Sequence, residues 1–405
     1  MRKLLLALLC CAALTACGEK EAPPPPETPP VEIVAEPEAE ELVEEEAPPA
    51  PTVATLAVCG DTMSHMPITN DVWDAEAGKY DYARVMSGAA DAVSAADYAV
   101  ANLETTLSGG PDYSGFPFFN SPDDLARGLA EIGFDLCLTA NNHSLDKGFA
   151  GLSRTLDVLD ENGLAHVGTH RTAEEAETPW VIADVGGISV AFLGYTYGTN
   201  GLAIPKDHPY SINVFNTDYM TSLADPDTER LAADLAAVQA LDTDLVAVMI
   251  HWGVEYQTSP SRHQTELADF LIENGADLVL GGHSHVPQPM EYRTLPDGRQ
   301  GFVCYSLGNF LSSQNDPLTD TTAVLTLELT RDNVTGETEV TDCSYLPLYM
   351  LDRESGARPR FQLMDAYAEL AGGAEGALAA KLEKAISDCH AIFGAQFDPQ
   401  ADAQS

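Results

Sequence analysis

Positive charge is scarce in this 405-residue sequence: 20 lysines and arginines stand against 63 aspartates and glutamates, for a formal charge of −43. From residue 53 onward the count is 52 acids to 17 bases, a field that repels phosphate backbones and argues against nucleic acid as a partner. Cysteine is also sparse. Cys10, Cys11 and Cys17 fall in the first seventeen residues, and Cys59, Cys137, Cys304, Cys343 and Cys389 form neither a dense disulfide framework nor a C-x-x-C pair. The first three of these five sit in apolar, strand-like runs, as small buried hydrophobes do. The sequence has no G-x-S-x-G elbow, no P-loop, no G-x-G-x-x-G after a strand and no H-E-x-x-H helix. That excludes the commonest serine-hydrolase, nucleotide-binding and zincin signatures.

What is present begins with a leader. Arg2 and Lys3 precede an apolar run over residues 4–14, which is too short to span a bilayer and reads as a secretory signal. The following Leu14-Thr15-Ala16-Cys17 resembles a bacterial lipobox, with Cys17 as the lipidated first residue of the mature chain. Several acyl chains on one cysteine anchor a protein stably in membrane lipid. Residues 18–52 hold ten prolines, eleven glutamates and one lysine. Such a segment buries too little to offset its conformational entropy and forms an extended tether of up to roughly 100 Å. The expected domains are therefore a signal peptide (1–17), a disordered tether (18–52), a folded domain (53–350) and a helical extension with a polar tail (351–405). The expected location is the outer face of the cell membrane or the periplasm.

From residue 53, short apolar runs alternate with helical patterns. Strands are expected over 55–59, 98–101, 135–139, 181–185, 188–195, 245–250, 278–280, 301–306 and 321–329. Helices are expected over 83–96, 122–132, 148–162, 228–240 and 260–274, the last with Ser259 as its cap and Pro260 in its first turn. An alanine-rich helical tail is expected over 361–390. This order predicts an α/β fold with parallel strands and helices packed outside.

The polar residues that follow the strands carry the chemistry. Five apolar runs end in Gly60-Asp61, Asn102-Leu103-Glu104, Asn141-Asn142-His143, His251-Trp252 and His283-Ser284-His285. Ligands bind at the carboxyl ends of parallel strands, where right-handed crossovers bring successive strand ends to one side. Imidazole combined with carboxylate and amide oxygen suits Zn, Mn or Fe better than Ca or Mg. A metal held this way activates water and polarises a scissile bond.

The stretches GDTMS (60–64), ANLETTL (101–107), TANNHSLDKG (139–148), HWGVEYQ (251–257), ENGADLVLGGHSHVPQ (273–288) and YSLGNF (305–310) closely resemble the CapA family. That family is named for poly-γ-glutamate capsule synthesis and is similar to calcineurin-like metallophosphoesterases. The resemblance implies a layered α/β/β/α sandwich of two packed sheets. It implies that Asp61, Glu104, Asn142, His251, His283 and His285 hold one or two divalent metals, with Glu104 bridging, and that His143 faces the leaving group as acid or stabilises the developing charge. Glu255, Tyr256 and Asn309 would line the substrate pocket. Two departures stand out: Met63 replaces a histidine usual in phosphoesterases, and Ser144 replaces an acid usual after Asn-His. They point to a weakened or missing second metal. Two readings stay open: a surface metal-dependent hydrolase of a γ-glutamyl, cell-wall or phosphate-containing substrate, and a non-catalytic factor that anchors, exports or assembles an anionic capsule polymer alongside capsule assembly proteins.

Overall fold

A computed structural model describes residues 24, 48–296, 298–353 and 356–401; Cys17, the leader and the tether, Pro24 and residues 48–52 apart, lie outside them. The fold belongs to the second of two units, which starts at Pro48. The chain enters on β1 (Thr52–Thr62) and passes through α1 (Met66–Asp71), the short ribbon of β2 (Trp73–Asp74) and β3 (Lys79–Tyr80), and α2 (Tyr82–Ser94). It continues as β4 (Tyr98–Leu103), α3 (Asp124–Glu131), β5 (Leu136–Leu138), α4 (Gly148–Glu161) and β6 (Ala165–Val167). A second run follows: β7 (Trp180–Val185), β8 (Ile188–Thr196), α5 (Thr228–Gln239), β9 (Leu245–His251), α6 (Arg262–Glu273), β10 (Leu278–Gly282), β11 (Pro287–Thr294) and β12 (Gln300–Leu307). The last elements are β13 (Asn309–Leu311), β14 (Thr321–Arg331), β15 (Thr338–Asp352), β16 (Phe361–Asp365), α7 (Ala366–Ala371) and α8 (Gly376–Cys389).

The strands form two main sheets. The first has the order β16-β15-β14-β1-β4-β5-β6, with β13 beside the end of β1; the second has the order β11-β12-β10-β9-β8-β7. β1, β4, β5 and β6 run parallel, as do β8, β9, β10 and β12. Alternation along the second sheet explains how the layers stack, because successive side chains leave opposite faces. Phe192, Ala247, Met249, Leu278 and Phe302 join the core shared with the first sheet and α2–α4. Their neighbours Leu193, Val246, Val248, Val279 and Val303 pack instead on Leu231 and Leu235 of α5 and Leu267 and Leu271 of α6. α7 and α8 cover β15 and β16 through Tyr349, Met364, Leu382 and Ile386. The layered α/β/β/α expectation holds, with a C-terminal helix in place.

Two expectations need correction. The stretch 361–365 is a strand, not the start of a helix: Phe361 and Leu363 enter one core while Met364 enters another, the period-two pattern that pairs β16 with β15. Helix α6 is capped by Ser261, not Ser259. The Ser261 Oγ accepts the Gln264 N–H at 3.3 Å, and the Gln264 side chain accepts the Ser261 N–H at 2.8 Å, satisfying two orphan donors of the first turn. Arg262, three residues after Ser259, offers no such return bond. The five cysteines of the fold are buried and unpaired, so no late disulfide forms among the described residues.

Candidate metal centre

The five strand ends come from both sheets: β1, β4 and the loop after β5 from the first, β9 and β10 from the second. The β1–β4 register slips between Cys59 and Asp61, a bulge at Gly60 that turns the Asp61 side chain to the end of the sheet. Only glycine fits there, because a Cβ at residue 60 would lie 1.9 Å from the Gly308 carbonyl oxygen. Gly282 is needed for a similar reason: its Cβ would lie 2.5 Å from Asp61 Oδ1. The turn after β10 is strained, with His283 at φ +95° and His285 at φ +60°. Left-handed backbone at non-glycine residues is costly and concentrates where function requires an unusual side-chain direction.

Asp61, Glu104, Asn142, His251, His283 and His285 converge as expected, and all are buried. Asp61 Oδ1 accepts from Asn102 Nδ2 at 2.8 Å, and Oδ2 accepts the backbone N–H of His283 at 3.0 Å. His251 Nε2 lies 3.0 Å from Asn142 Oδ1 and 3.3 Å from Glu104 Oε1, while Asn102 Nδ2 approaches its Nδ1 at 3.1 Å. His285 Nδ1 sits 3.5 Å from Asp61 Oδ2 and 3.1 Å from Asn309 Oδ1. Two donor triads result, Asp61–Glu104–His251 and Glu104–His283–His285, each with its ligand atoms within 4.8 Å of one another. Glu104 belongs to both. Both triads are complete without residue 63, where a fully buried Met63 packs instead.

The donor set fits a divalent cation. Both carboxylate oxygens of Glu104 and the Nδ1 of His283 are buried without a hydrogen-bond partner among the described residues. A buried carboxylate left unpaired costs several kcal/mol or more, so such a group normally pairs with a cation. The protonation pattern carries the same information. Burial pushes the His285 pKa down, but the negative charge of Glu104 and the hydrogen bond and charge of Asp61 outweigh it and raise it to about 9. Burial pushes Asp61 up, yet the His285 hydrogen bond and the charges of His251 and His285 leave it lowered. His283 is held well below the usual imidazole value by burial and by its neighbouring histidines. The cluster thus draws positive charge toward Glu104 and Asp61 and presents a neutral imidazole at His283, the form that ligates metal.

His143 stands beside the cluster. Its Nδ1 lies 2.7 Å from Asp146 Oδ2, a carboxylate that also accepts the Phe119 N–H at 2.6 Å. Ser144, at the position where an acid is usual, has a structural task instead: its hydroxyl donates to the Thr139 carbonyl at 2.7 Å and accepts the Asn141 N–H at 2.9 Å, tightening the turn. The acid paired with the histidine is Asp146, two residues further on.

Sequence reasoning missed Asp146 and two aromatic neighbours, and it placed Asn102 and Asn141 at strand ends without their task of orienting the ligands. Asn141 Nδ2 donates to Asn102 Oδ1 and to the Leu103 carbonyl, linking two strand ends. Tyr197 lays its ring 4.6 Å from His283 and 6.2 Å from His251. His65 meets the Phe119 ring at 5.0 Å, on whose other contact His143 sits at 4.8 Å. Burial, together with the charges of His285 and His143, lowers its pKa to about 4. The signals for Asn102 and His65 were available, since both lie within or next to the quoted motifs. Of the expected pocket residues, Asn309 touches His285, Tyr256 places its ring 6.0 Å from His285, and Glu255 lies with His283 on the wall of a cavity.

Residues 55–314 match the family model of the bacterial capsule synthesis protein PGA_cap. The chain belongs to this family. The matched span covers every residue of the cluster and agrees with the motifs at residues 60–310. Among relatives, the chain is 31% identical over 222 residues to the capsule biosynthesis protein CapA of Bacillus anthracis, covering 55% of this chain and 50% of that protein. It is 29% identical over 251 residues to the PGA biosynthesis protein CapA of Bacillus subtilis (strain 168), covering 61% of each. A probable polyglutamine synthesis accessory protein of Mycobacterium tuberculosis is 27% identical over 216 residues, covering 50% of this chain and 53% of that one. The chain thus spans roughly half to three fifths of the length of these family members. Among solved structures, a novel phosphatase from Mycoplasma pneumoniae aligns at 12% identity with a TM-score of 0.43, over 74% of this chain and 95% of that one. A calcineurin-like phosphoesterase from Bacillus subtilis aligns at 13% with a TM-score of 0.42, over 84% of this chain and 98% of that one.

Proposed function

We propose that this protein is an exported lipoprotein of the capsule-synthesis family, tethered through Cys17, whose strand-end cluster is a divalent-metal-dependent hydrolytic centre. The observation that carries the reading is Glu104: buried, with neither oxygen hydrogen-bonded among the described residues, and shared by two triads. Asp61, Glu104, Asn142 and His251 would hold one ion, and Glu104, His283 and His285 a second; Zn, Mn or Fe suits these donors. The bound metal supplies Lewis acidity and neutralises charge that develops on the substrate. The protein's own groups do the rest. Asp146 fixes Nδ1 of His143, so the proton for the leaving group is exchanged at Nε2. Asn102 and Asn141 hold Asp61 and His251 in place, and the buried setting excludes bulk water from the reacting bond.

The names of the relatives suggest a capsule or γ-glutamyl polymer as the substrate class for this proposal, and the resemblance to phosphoesterases adds a cell-wall or phosphate-containing precursor. The purified full chain should carry one to two equivalents of metal by elemental analysis. It should hydrolyse a model phosphodiester or γ-glutamyl oligomer, with about 10²–10⁴-fold loss in His143→Ala and metal content retained. Equal turnover in wild type and variant would refute the hydrolytic reading. A non-catalytic role in anchoring or assembling an anionic polymer is favoured by one observation, the buried Met63 where phosphoesterases usually place a histidine. A deletion strain that loses surface polymer and regains it fully with His143→Ala would establish that role instead.

A further inference from the structure

Beside the cluster opens a cavity of about 470 Å³, within the range of small-molecule sites. Its wall is built from Tyr197, Phe215, Leu223, Trp252, Val254 and Leu267, and His283 lines it as well, so cavity and cluster are continuous. Its charges are few. Among the described residues that line it, Glu255 is the one carboxylate, His263 is present too, and there is no lysine or arginine. A polyanionic chain would leave water for a wall with no fixed cation, next to a carboxylate, and a charge moved that way is penalised.

The wall is also shaped for an apolar occupant. Leu223 is held at φ +55°, a conformation that costs a leucine about 1–2 kcal/mol. Its loop is pinned by the Asp218 carboxylate, which accepts from Ser222 Oγ at 2.6 Å and from the backbone N–H groups of Ala224 and Asp225 at 3.0 and 3.1 Å. Gly198 makes room for the side chain, since a Cβ there would come 3.2 Å from Leu223 Cδ2. Leu223 and Val254 stay 41% and 52% exposed at this rim, apolar surface that a bound group would cover.

We infer that the substrate is a small molecule with an uncharged apolar group, alkyl or aryl, which occupies this cavity while its anionic reacting group lies at the strand-end cluster. This rests on reading the cluster as the metal-dependent centre, and it narrows that reading away from a polyanion lying in the cavity. A non-hydrolysable series separates the two ideas. Methyl-, butyl- and octylphosphonate are titrated calorimetrically into the full chain loaded with metal. Affinity is expected to rise about three- to fourfold per methylene. In Leu223→Asp and Val254→Asp, both at exposed positions and checked for unchanged melting, the gain per methylene should collapse. A flat series in wild type overturns the inference while leaving the metal centre standing if methylphosphonate binds. A steep series with no methylphosphonate binding, unaffected by His283→Ala, keeps the apolar site and removes the metal reading. Binding by no member, or a slope that both variants leave intact, overturns the inference.

Discussion

Glu104 and Asp71 are both carboxylates taken out of water, and the protein treats them in opposite ways. Asp71, at the end of α1, accepts from Arg84 Nη2 at 3.0 Å and from the backbone N–H groups of Arg360 and Phe361 at 2.9 and 3.0 Å. Burial pushes its pKa up, but those two N–H groups and Arg84 hold it lowered. Asp398 is treated like Asp71, with Tyr367 Oη at 2.5 Å, His390 Nε2 at 2.7 Å and the Gln400 N–H at 2.8 Å. Glu104 accepts no hydrogen bond among the described residues. Where a carboxylate ties β16 or α7 to the fold, its lone pairs are filled by the protein. Where it faces the strand ends, they are left open, which is how a site for an external cation differs from an internal brace.

The contrast can be tested from both sides. The largest effect is expected for Glu104→Gln: loss of stoichiometric metal by elemental analysis and a fall in hydrolysis of about 10³-fold or more. The metal-free fold should be at least as stable as wild type in denaturant unfolding, because the variant removes a buried charge to which no hydrogen bond is made. A variant that keeps its metal but unfolds would make Glu104 another brace. Asp71→Ala should do the reverse, costing about 3 kcal/mol in denaturant unfolding by stranding Arg84 and two backbone donors, with metal content unchanged.

Asp277 is the intermediate case and gives the smallest effect. It accepts the Val246 N–H at 2.8 Å and reaches Arg299 only at 3.8 Å, with a side chain 24% exposed. Burial raises its pKa to about 6, against the pull of that N–H and of Arg299. A carboxyl whose folded value lies above the unfolded one favours the fold in its protonated form. Its contribution is therefore fully present below about pH 4 and is lost as pH rises through about 6. Asp277→Asn should be more stable than wild type by up to about 2 kcal/mol above pH 6, with the gain vanishing near pH 4. Parallel unfolding curves at pH 4 and pH 7.5 measure it, and a gain equal at both values would disprove the assignment.

Much of the centre was legible because a strand end is a local event. An apolar run that stops at Asp61, Glu104, Asn142, His251 or His283 announces both the strand and the exposed edge where it ends. The supporting residues were harder to read, because their roles are set by contacts far along the chain. Asp146 resembles any acid after a turn until the fold places it 2.7 Å from His143. Asn102 precedes Leu103 and Glu104 in an ordinary strand ending, yet it touches both Asp61 and His251, from 41 and 149 residues away. The same holds for the C-terminal layer, where alanine-rich composition suggested helix over 361–365 and pairing with β15 made it strand. Tertiary packing overrides propensity when a segment completes a sheet.

The sequence by itself determined the α/β class, the order of strands and helices, and a set of metal-competent side chains at five strand ends, because periodicity and strand termination are encoded within a dozen residues; the choice of six among them came from the family resemblance. The family resemblance implied two packed sheets, and only the tertiary structure decided which strand ends come from each. It also decided which histidines and which aspartate gather around Glu104, that Asp146 supplies the acid absent at Ser144, and that an apolar cavity opens beside His283. Each of these depends on distances between segments remote in the chain. Those distances follow from how two twisted sheets pack face to face, which local sequence pattern does not specify.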